Sequence, residues 1–376
     1  MVPGASAANQ NRARLKEMMT LKEATTSYEE WMRACCSTVI ESDLQYKHKQ
    51  MRKDPYLFLR GTYYRWAQVW PEVCPELTHA PKVLGVGDLH VGSFGTWRDS
   101  EGRLCWGVDD FDECYPLPYT NDLVRLATSV RIVTRAEQLT ISLKDACDAI
   151  LEGYAETLKR GGSPFILAER QQYLEKLGID AIKPPNNFWE KLSHLPAVRG
   201  GFPPDAAKAL RSTLPEPALK CKIARRRAGT GSLGQERFVG LAQWKGAWIA
   251  RELKALLPSS SVWLAGKTGD TESYYQEAIT SAARSLDPYQ TISGRWLTRR
   301  LSPDSNPIDV ADLSKQRDEA KLLCAMGAEA ANVHLGRKKQ VSAIQSHLRK
   351  QKAKWLHSAA RAMAKSVLDE WKEYSS

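Results

Sequence analysis

GVGDLHVGSFG, Gly85 to Gly95, read with VDDFDE, Val108 to Glu113, and NDLVRLA, Asn121 to Ala127, decides how this chain is built. A short apolar run, Lys82 to Val86, delivers the chain to Asp88 and His90, and Gly85, Gly87, Gly92 and Gly95 let the backbone turn tightly around them. After the turn RDSEGR, Leu104 to Val108 is a second strand, ending in Asp109, Asp110, Asp112 and Glu113. On an extended segment Asp110 and Asp112 share one face, and Asp109 and Glu113 the other. Such crowding raises at least one carboxylate pKa unless a cation sits between the groups. Oxygen ligands at this density suit Mg²⁺, which takes one or two carboxylates and leaves its other positions to water and phosphate. A lone D-x-D is usually a solvated acidic turn; here Trp106, Val108 and Phe111 make the segment partly apolar. His90 reads as a residue that orders the loop.

The 376 residues suffice for two domains, and 26% charged with 43% apolar residues is the composition of a globular chain. No apolar run approaches a membrane span and Met1 to Met19 lacks a secretory hydrophobic stretch, so a cytoplasmic protein without a membrane partner is expected. Eight cysteines without a C-x-x-C argue against a disulfide framework or a structural zinc site. A flexible tail is expected over residues 1–26. Ser27 and Glu30 have capping-box spacing, with an amphipathic helix continuing toward Tyr46. Lys47 to Lys53 reads as a solvated basic helix end. Helices are expected over Pro55 to Trp70, Asp122 to Arg135 and Ser142 to Arg160, and Arg125 lies near Asp122 as an ion-pair partner. Arg60 braces a later carboxylate, because a buried guanidinium needs one. Val310 onward reads as helical, and with a net charge of +11 its RKK and RKQKAK runs, Arg337 to Lys339 and Arg349 to Lys354, give a basic face that could attract nucleic acid or an acidic partner.

A second informative stretch is Lys222 to Ala255. Gly229, Gly231 and Gly234 form a G-x-G-x-x-G match, followed by alternation over Arg237 to Ala242, a Trp244-Lys-Gly246 turn and a further strand over Ala247 to Leu253. Glycines leading into a hairpin rather than a helix suit a loop whose freed amides, with Ser232, hold phosphate oxygens.

Taken together, PYLFLRGTYYRWA, GDLHVGSFG, VDDFDE and NDLVRLATS resemble the bacterial family catalogued as domain of unknown function 2252, itself similar to aminoglycoside phosphotransferases and protein kinases. The resemblance implies that Asp88 is the base or orienter for an attacking hydroxyl, Asp110 the principal metal acid and Asp112 a second ligand. Asp122 would brace the loop from below, and His334, in the Ala328 to His334 helix, would face that loop. Ser93 stands where the family has a metal-binding Asn, and Asp109 where it has another Asn. Arg251 occupies the place of the phosphate-pairing lysine, followed by Glu252, while Lys254 lies on the opposite strand face; Glu277, and after it Glu272, are candidate acidic partners.

The implied fold is α+β, a protein-kinase-like two-lobe arrangement whose order of parts is circularly permuted. Residues 27–217 and 302–376 would form the larger helical lobe and 218–301 the smaller β-rich one. The implied activity is an ATP- and Mg²⁺-dependent phosphotransferase acting on a hydroxyl acceptor. Nucleotidyl transfer on the same scaffold, or a nucleotide-binding pseudokinase or basic scaffold, are the alternatives.

Overall fold

A reciprocal capping box at Thr20 and Glu23 starts the first helix, α1 (Leu21–Cys35), with the Glu23 carboxylate accepting from Thr20 N at 2.8 Å. The cap lies seven residues ahead of the Ser27 and Glu30 spacing, so residues 21–26, expected in the tail, belong to the helix. The computed structural model describes residues 19–136, 140–167, 174, 184–267, 274–305 and 319–376. The tail up to residue 18, Glu272 and the chain at Val310 lie outside the described residues. The helix expected to run on to Tyr46 breaks at Cys36, and Ile40 N donates instead to Gly234 O at 2.8 Å. The chain resumes as α2 (Glu41–Lys53). Asp54 then caps α3 (Pro55–Gly61), whose proline occupies the first turn, where no amide is needed. Thr62 back-bonds to Phe58 O at 2.7 Å and splits the expected single helix, α4 being Tyr63–Val73.

The central part of the chain is two small antiparallel sheets. β1 (Lys82–Gly85) and β2 (Phe94–Arg98) flank the first glycine loop; β3 (Leu104–Val108) and β4 (Tyr115–Pro118) flank the acidic turn. β1 pairs with β4, with Gly85 opposite Tyr115, and β2 pairs with β3, with Phe94 opposite Val108. Both loops therefore leave the sheets at matched ends and run side by side, tied where Asp109 N donates to Ser93 O at 3.0 Å.

α5 (Tyr119–Ala136) and α6 (Leu143–Arg160) follow, and β5 (Phe165–Ile166) adds to β3. Two short helices opened by prolines, α7 (Pro185–Ser193) and α8 (Pro204–Arg211), lead into β6 (Lys222–Arg225). β7 (Arg237–Trp244) and β8 (Ala247–Ala255) form the expected hairpin, turned by Lys245 and Gly246 at φ 48° and 81°. After α9 (Ser260–Leu264) and α10 (Tyr275–Ser281), β9 (Thr291–Ser293) and β10 (Trp296–Leu301) complete a five-stranded antiparallel sheet in the order β6-β7-β8-β10-β9. The described chain ends in α11 (Glu319–His334), α12 (Val341–Lys350) and α13 (Trp355–Ser375). The α+β expectation holds. Among the described residues no helix is long and apolar enough to cross a membrane.

The main core lies where α5, α6, α11 and α13 meet, with Leu123, Ile150, Tyr154, Met326 and Met363 all fully buried. α6 and α11 cross at two glycines: a Cβ on Gly153 would overlap Cys324 O, and one on Gly327 would overlap Ile150 O. The neighbours are backbone atoms that cannot swing away. Gly327→Ala is therefore expected to destabilise the protein by at least about 2 kcal/mol through overpacking, read as a fall in the urea midpoint; an unchanged midpoint would contradict this helix crossing.

Candidate active site

The Gly85–Gly95 loop takes its shape from one buried carboxylate. Asp122, in the first turn of α5, accepts from Val86 N at 2.6 Å, Gly87 N at 3.0 Å, Asn121 Nδ2 at 3.1 Å and His334 Nε2 at 3.0 Å. With Nε2 donating, His334 Nδ1 is the acceptor for the Tyr154 hydroxyl at 2.8 Å. His334 thus faces the loop through Asp122. His90 Nδ1 accepts from Gly92 N at 3.1 Å and lies 3.2 Å from the Tyr56 hydroxyl. Burial, followed by the charges of Arg60 and Arg125, holds its pKa well below the ordinary value, so His90 is a neutral element of the loop. Ser93 is not placed as a metal ligand: its hydroxyl donates to Asp88 O and accepts from His90 N, both at 3.0 Å.

Asp88 Oδ1 accepts from Arg125 Nε at 2.7 Å and forms an ion pair with the same guanidinium, 2.5 Å from Nη2. This corrects the expected Asp122 partnership. Asp122 is turned toward the loop amides, whereas Arg125 is fully buried, donates to Leu59 O at 2.8 Å and lies on the rings of Tyr63 and Trp66. The other carboxylate oxygen lies under the second glycine loop: a Cβ on Gly231 would stand 3.9 Å from Asp88 Oδ2 and 3.3 Å from Arg60 O. Burial raises the Asp88 pKa in spite of the Arg125 pair. Arg60, expected to brace a carboxylate, makes no ion pair among the described residues; it lies over Tyr56 and its Nε is buried without a partner.

The acidic segment is a turn rather than an extension of β3. Asp110 Oδ1 accepts from Asp112 N at 3.2 Å, and Lys254 Nζ meets both side chains, Asp112 the more closely and Asp110 at 3.4 Å. Burial opposes ionisation of Asp110, but Lys254, a hydrogen bond with Asp112 and the charges of Arg299 and Arg237 together outweigh it and hold this carboxyl well below its usual range. Asp109 lies 3.9 Å from Arg299. Glu113 turns away to accept from Ser260 N at 2.6 Å, Ser260 Oγ at 2.7 Å and Ser259 Oγ at 3.0 Å; burial still pushes its pKa up to about 7.

The cation of β8 is Lys254, not Arg251. Side chains alternate along the strand, and Arg251 faces away, donating to Thr213 O at 3.0 Å and lying 3.9 Å from the centre of the Tyr289 ring. Glu252 shares the Lys254 face but does not line the cavity. It is buried beneath Arg226, Arg237 and Arg299, which outweigh the cost of burial and hold its carboxyl well below the ordinary range. Its role is to hold these three arginines at the cavity wall. Ser232 accepts from Arg237 Nη2 at 2.7 Å, so its hydroxyl is engaged by protein. Glu277 pairs with Arg337 at 2.7 Å, away from the strand cation.

These parts enclose one cavity of about 320 Å³, lined by Asp88, the Asp109–Glu113 turn and the Gly229–Gly231 loop among others. Gly234 packs against Leu44, outside it. Four of the lining residues carry buried polar atoms with no partner: Arg60 Nε, the Tyr63 hydroxyl, Asp112 Oδ1 and Gln235 Oε1. Buried polar groups are normally paired, so four unpaired atoms on residues that line one cavity set it apart as a candidate site. Among the described residues no three His, Cys, Asp or Glu side chains are grouped to hold a metal, so the expected set of Asp110, Asp112, Ser93 and Asp109 is not assembled as a cage. Lys47 and the three arginines of the wall were given no place in the site from sequence, and Glu113 was read only as one of the crowded carboxylates. Lys47 sits inside a basic run that reads as solvated, yet it is 6% exposed and its Nζ donates to Gly231 O at 3.1 Å.

A further carboxylate supports β3 from behind. Glu329, 1% exposed on α11, accepts from Val108 N at 3.2 Å and Asn332 Nδ2 at 2.9 Å, and occupies the space that a Cβ at Gly107 would need. Burial pushes its pKa up to about 7, against the pull of Arg284. A pKa raised on folding gives stability present below the unfolded value of about 4.3 and lost as pH rises through the folded one. Glu329→Gln removes that loss. The melting temperature of this variant relative to wild type is expected to climb between about pH 5 and pH 7 and to level off above it, and a difference independent of pH would contradict the assignment.

Comparison with known proteins gives one match. No curated protein matches the chain, and no solved structure does. The glycine loop at Gly229 and the strand carrying Lys254 lie beyond the matched region. Residues 39–182, which contain the Asp88 loop, the acidic turn and Asp122, match the model of the family described as "Uncharacterized protein conserved in bacteria (DUF2252)".

Proposed function

We propose that this protein is a phosphotransferase that moves the γ-phosphoryl group of ATP to a hydroxyl acceptor, with Mg²⁺ as cofactor, on a kinase-like scaffold whose parts occur in permuted order. The observation that carries this reading is the placement of Asp88 Oδ2 beneath Gly231, in the same cavity as the acidic turn held by Lys254. Phosphoryl transfer asks little covalent work of the protein; it needs the acceptor oriented and phosphate charge offset.

In this reading Asp88 orients the acceptor hydroxyl. The acceptor oxygen bonds to the γ-phosphorus, the bridging bond to ADP breaks, and the hydroxyl proton passes to Asp88 Oδ2. Arg125 keeps Oδ1 occupied and fixes which oxygen faces the acceptor. The amides around Gly229 and Gly231, with Arg226 and Arg237 at the wall, offset phosphate charge. Asp110 is the acid best suited to the metal, because its side chain is 53% exposed, whereas Asp112 is 22% exposed and the closer of the two to Lys254. Bound Mg²⁺ would neutralise phosphate oxygens, and it needs only one or two protein carboxylates when phosphates supply the rest.

One observation favours a binding-only variant of the same reading: the Ser93 hydroxyl is spent inside the loop, where the resembled family has an amide ligand. Purified protein is expected to be stabilised by Mg·ATP and to turn ATP over. Asp110→Asn should abolish the metal-dependent part of the shift, and Asp88→Asn should lower turnover by about 10²–10⁴-fold while nucleotide still binds. Nucleotide binding without turnover, restored by Ser93→Asn, would replace the enzyme by a pseudoenzyme. Absence of any nucleotide-dependent shift would end both readings.

A further inference from the structure

The two sides of the cavity differ in how their charges are matched. On the sheet side, Glu252 answers Arg226, Arg237 and Arg299, and Lys254 answers Asp110 and Asp112. On the helical side, Arg125 answers Asp88, and serine donors and a backbone amide satisfy Glu113. That leaves two cations at the cavity wall with no carboxylate partner among the described residues, Lys47 and Arg60. Lys47 donates to a backbone carbonyl and Arg60 Nε to nothing, and the buried hydroxyl of Tyr63, which lines the same cavity, is also unpartnered. Burial draws the Lys47 pKa down to about 8, the direction expected where no counter-charge is in contact.

We propose that Lys47, Arg60 and Tyr63 form a subsite beside Asp88 for the anionic group, a carboxylate or phosphate monoester, of a small hydroxylated acceptor. This rests on the phosphotransferase reading for its role, although anion binding itself does not. An ammonium held out of water without an anion is costly, as is the buried, unpaired Nε of a half-buried guanidinium, and a charge-assisted bond to each recovers that cost. The tether from Lys47 to Gly231 O sets the subsite next to the glycine loop, so an anion seated there leaves a neighbouring hydroxyl of the same molecule within the compass of Asp88. The same two cations disfavour a polycationic acceptor by direct repulsion.

The test uses the full chain without nucleotide, titrated by calorimetry with D-glycerate and with glycerophosphate, beside glycerol and spermidine. The anions are expected to bind, and glycerol and spermidine not to. Arg60→Gln and Lys47→Met should each weaken the anions at least about tenfold, the loss of one charge-assisted hydrogen bond. Arg60→Lys should recover part of that affinity, and Arg337→Gln, on the outer surface, should leave it unmoved. Anions bound equally well by Arg60→Gln, or tighter binding of spermidine than of either anion, would overturn the subsite. Anion binding that depends on Arg60, in a protein that never binds Mg·ATP, would leave the subsite standing and remove only the phosphotransferase reading.

Discussion

The ammonium of Lys254 between Asp110 and Asp112 is the contact on which the site depends. It joins two parts of the chain that are 144 residues apart for Asp110, the acidic turn after β3 and the C-terminal end of β8. Lys254 is 4% exposed, so its charge is poorly solvated and needs these carboxylates; the carboxylates, crowded within one turn, need a cation as much. Neither half is stable in its place without the other. Two positions earlier on the same strand face, Glu252 repeats the arrangement with the signs reversed, one buried anion serving three arginines. The inner face of the five-stranded sheet is thus an alternation of fixed charges directed at the loops opposite.

What brings those loops to the sheet is strand pairing. Because β1 pairs with β4 and β2 with β3, the Asp88 loop and the acidic turn cannot separate without breaking two ladders. Asp122 then sets the inner path of the first loop by collecting the Val86 and Gly87 amides, and His334 carries that constraint to α11. α11 is packed so tightly on α6 that glycine is required on both helices. A continuous series of backbone-level constraints therefore runs from the helical core to the carboxylate of Asp88, in keeping with a site that needs its groups fixed before a ligand arrives.

The sequence was most legible where local rules govern. β3 occupies Leu104–Val108 as its apolar run predicts, and the β7–β8 hairpin follows from alternation around Lys245 and Gly246. It was least legible where a side chain had more than one partner within reach. Arg125 lies one turn from Asp122 but pairs with Asp88, since only the folded chain shows that Asp122 is occupied by amides. Arg251 was the cation expected to face the acidic turn, while strand alternation puts Lys254 there; period-two bookkeeping from Glu252 would have selected it. Lys47 could not be told from its solvated neighbours, because its burial is made by a glycine loop from the far half of the chain. The helix breaks at Cys36 and Thr62 have the same origin, a backbone bond taken elsewhere or a side-chain bond that competes with the helix.

The glycine loop itself is held by residues from the N-terminal part of the chain. Ile40 N bonds Gly234 O, Arg227 pairs with Asp43, and Lys47 bonds Gly231 O, so three points along the loop are tied to the segment leading into and through α2. In a loop rich in glycine the backbone entropy lost on ordering is large, and these ties remove it before any ligand binds. They also explain why the loop can lie close over Asp88 without a side chain of its own filling the space: Gly231 offers no Cβ where one would approach both Asp88 Oδ2 and Arg60 O. The α2 segment and the sheet thereby act on the same loop from opposite sides. The width of the cavity above Asp88 is set by helical packing at Ile40 to Lys47 as much as by the strands that carry the loop.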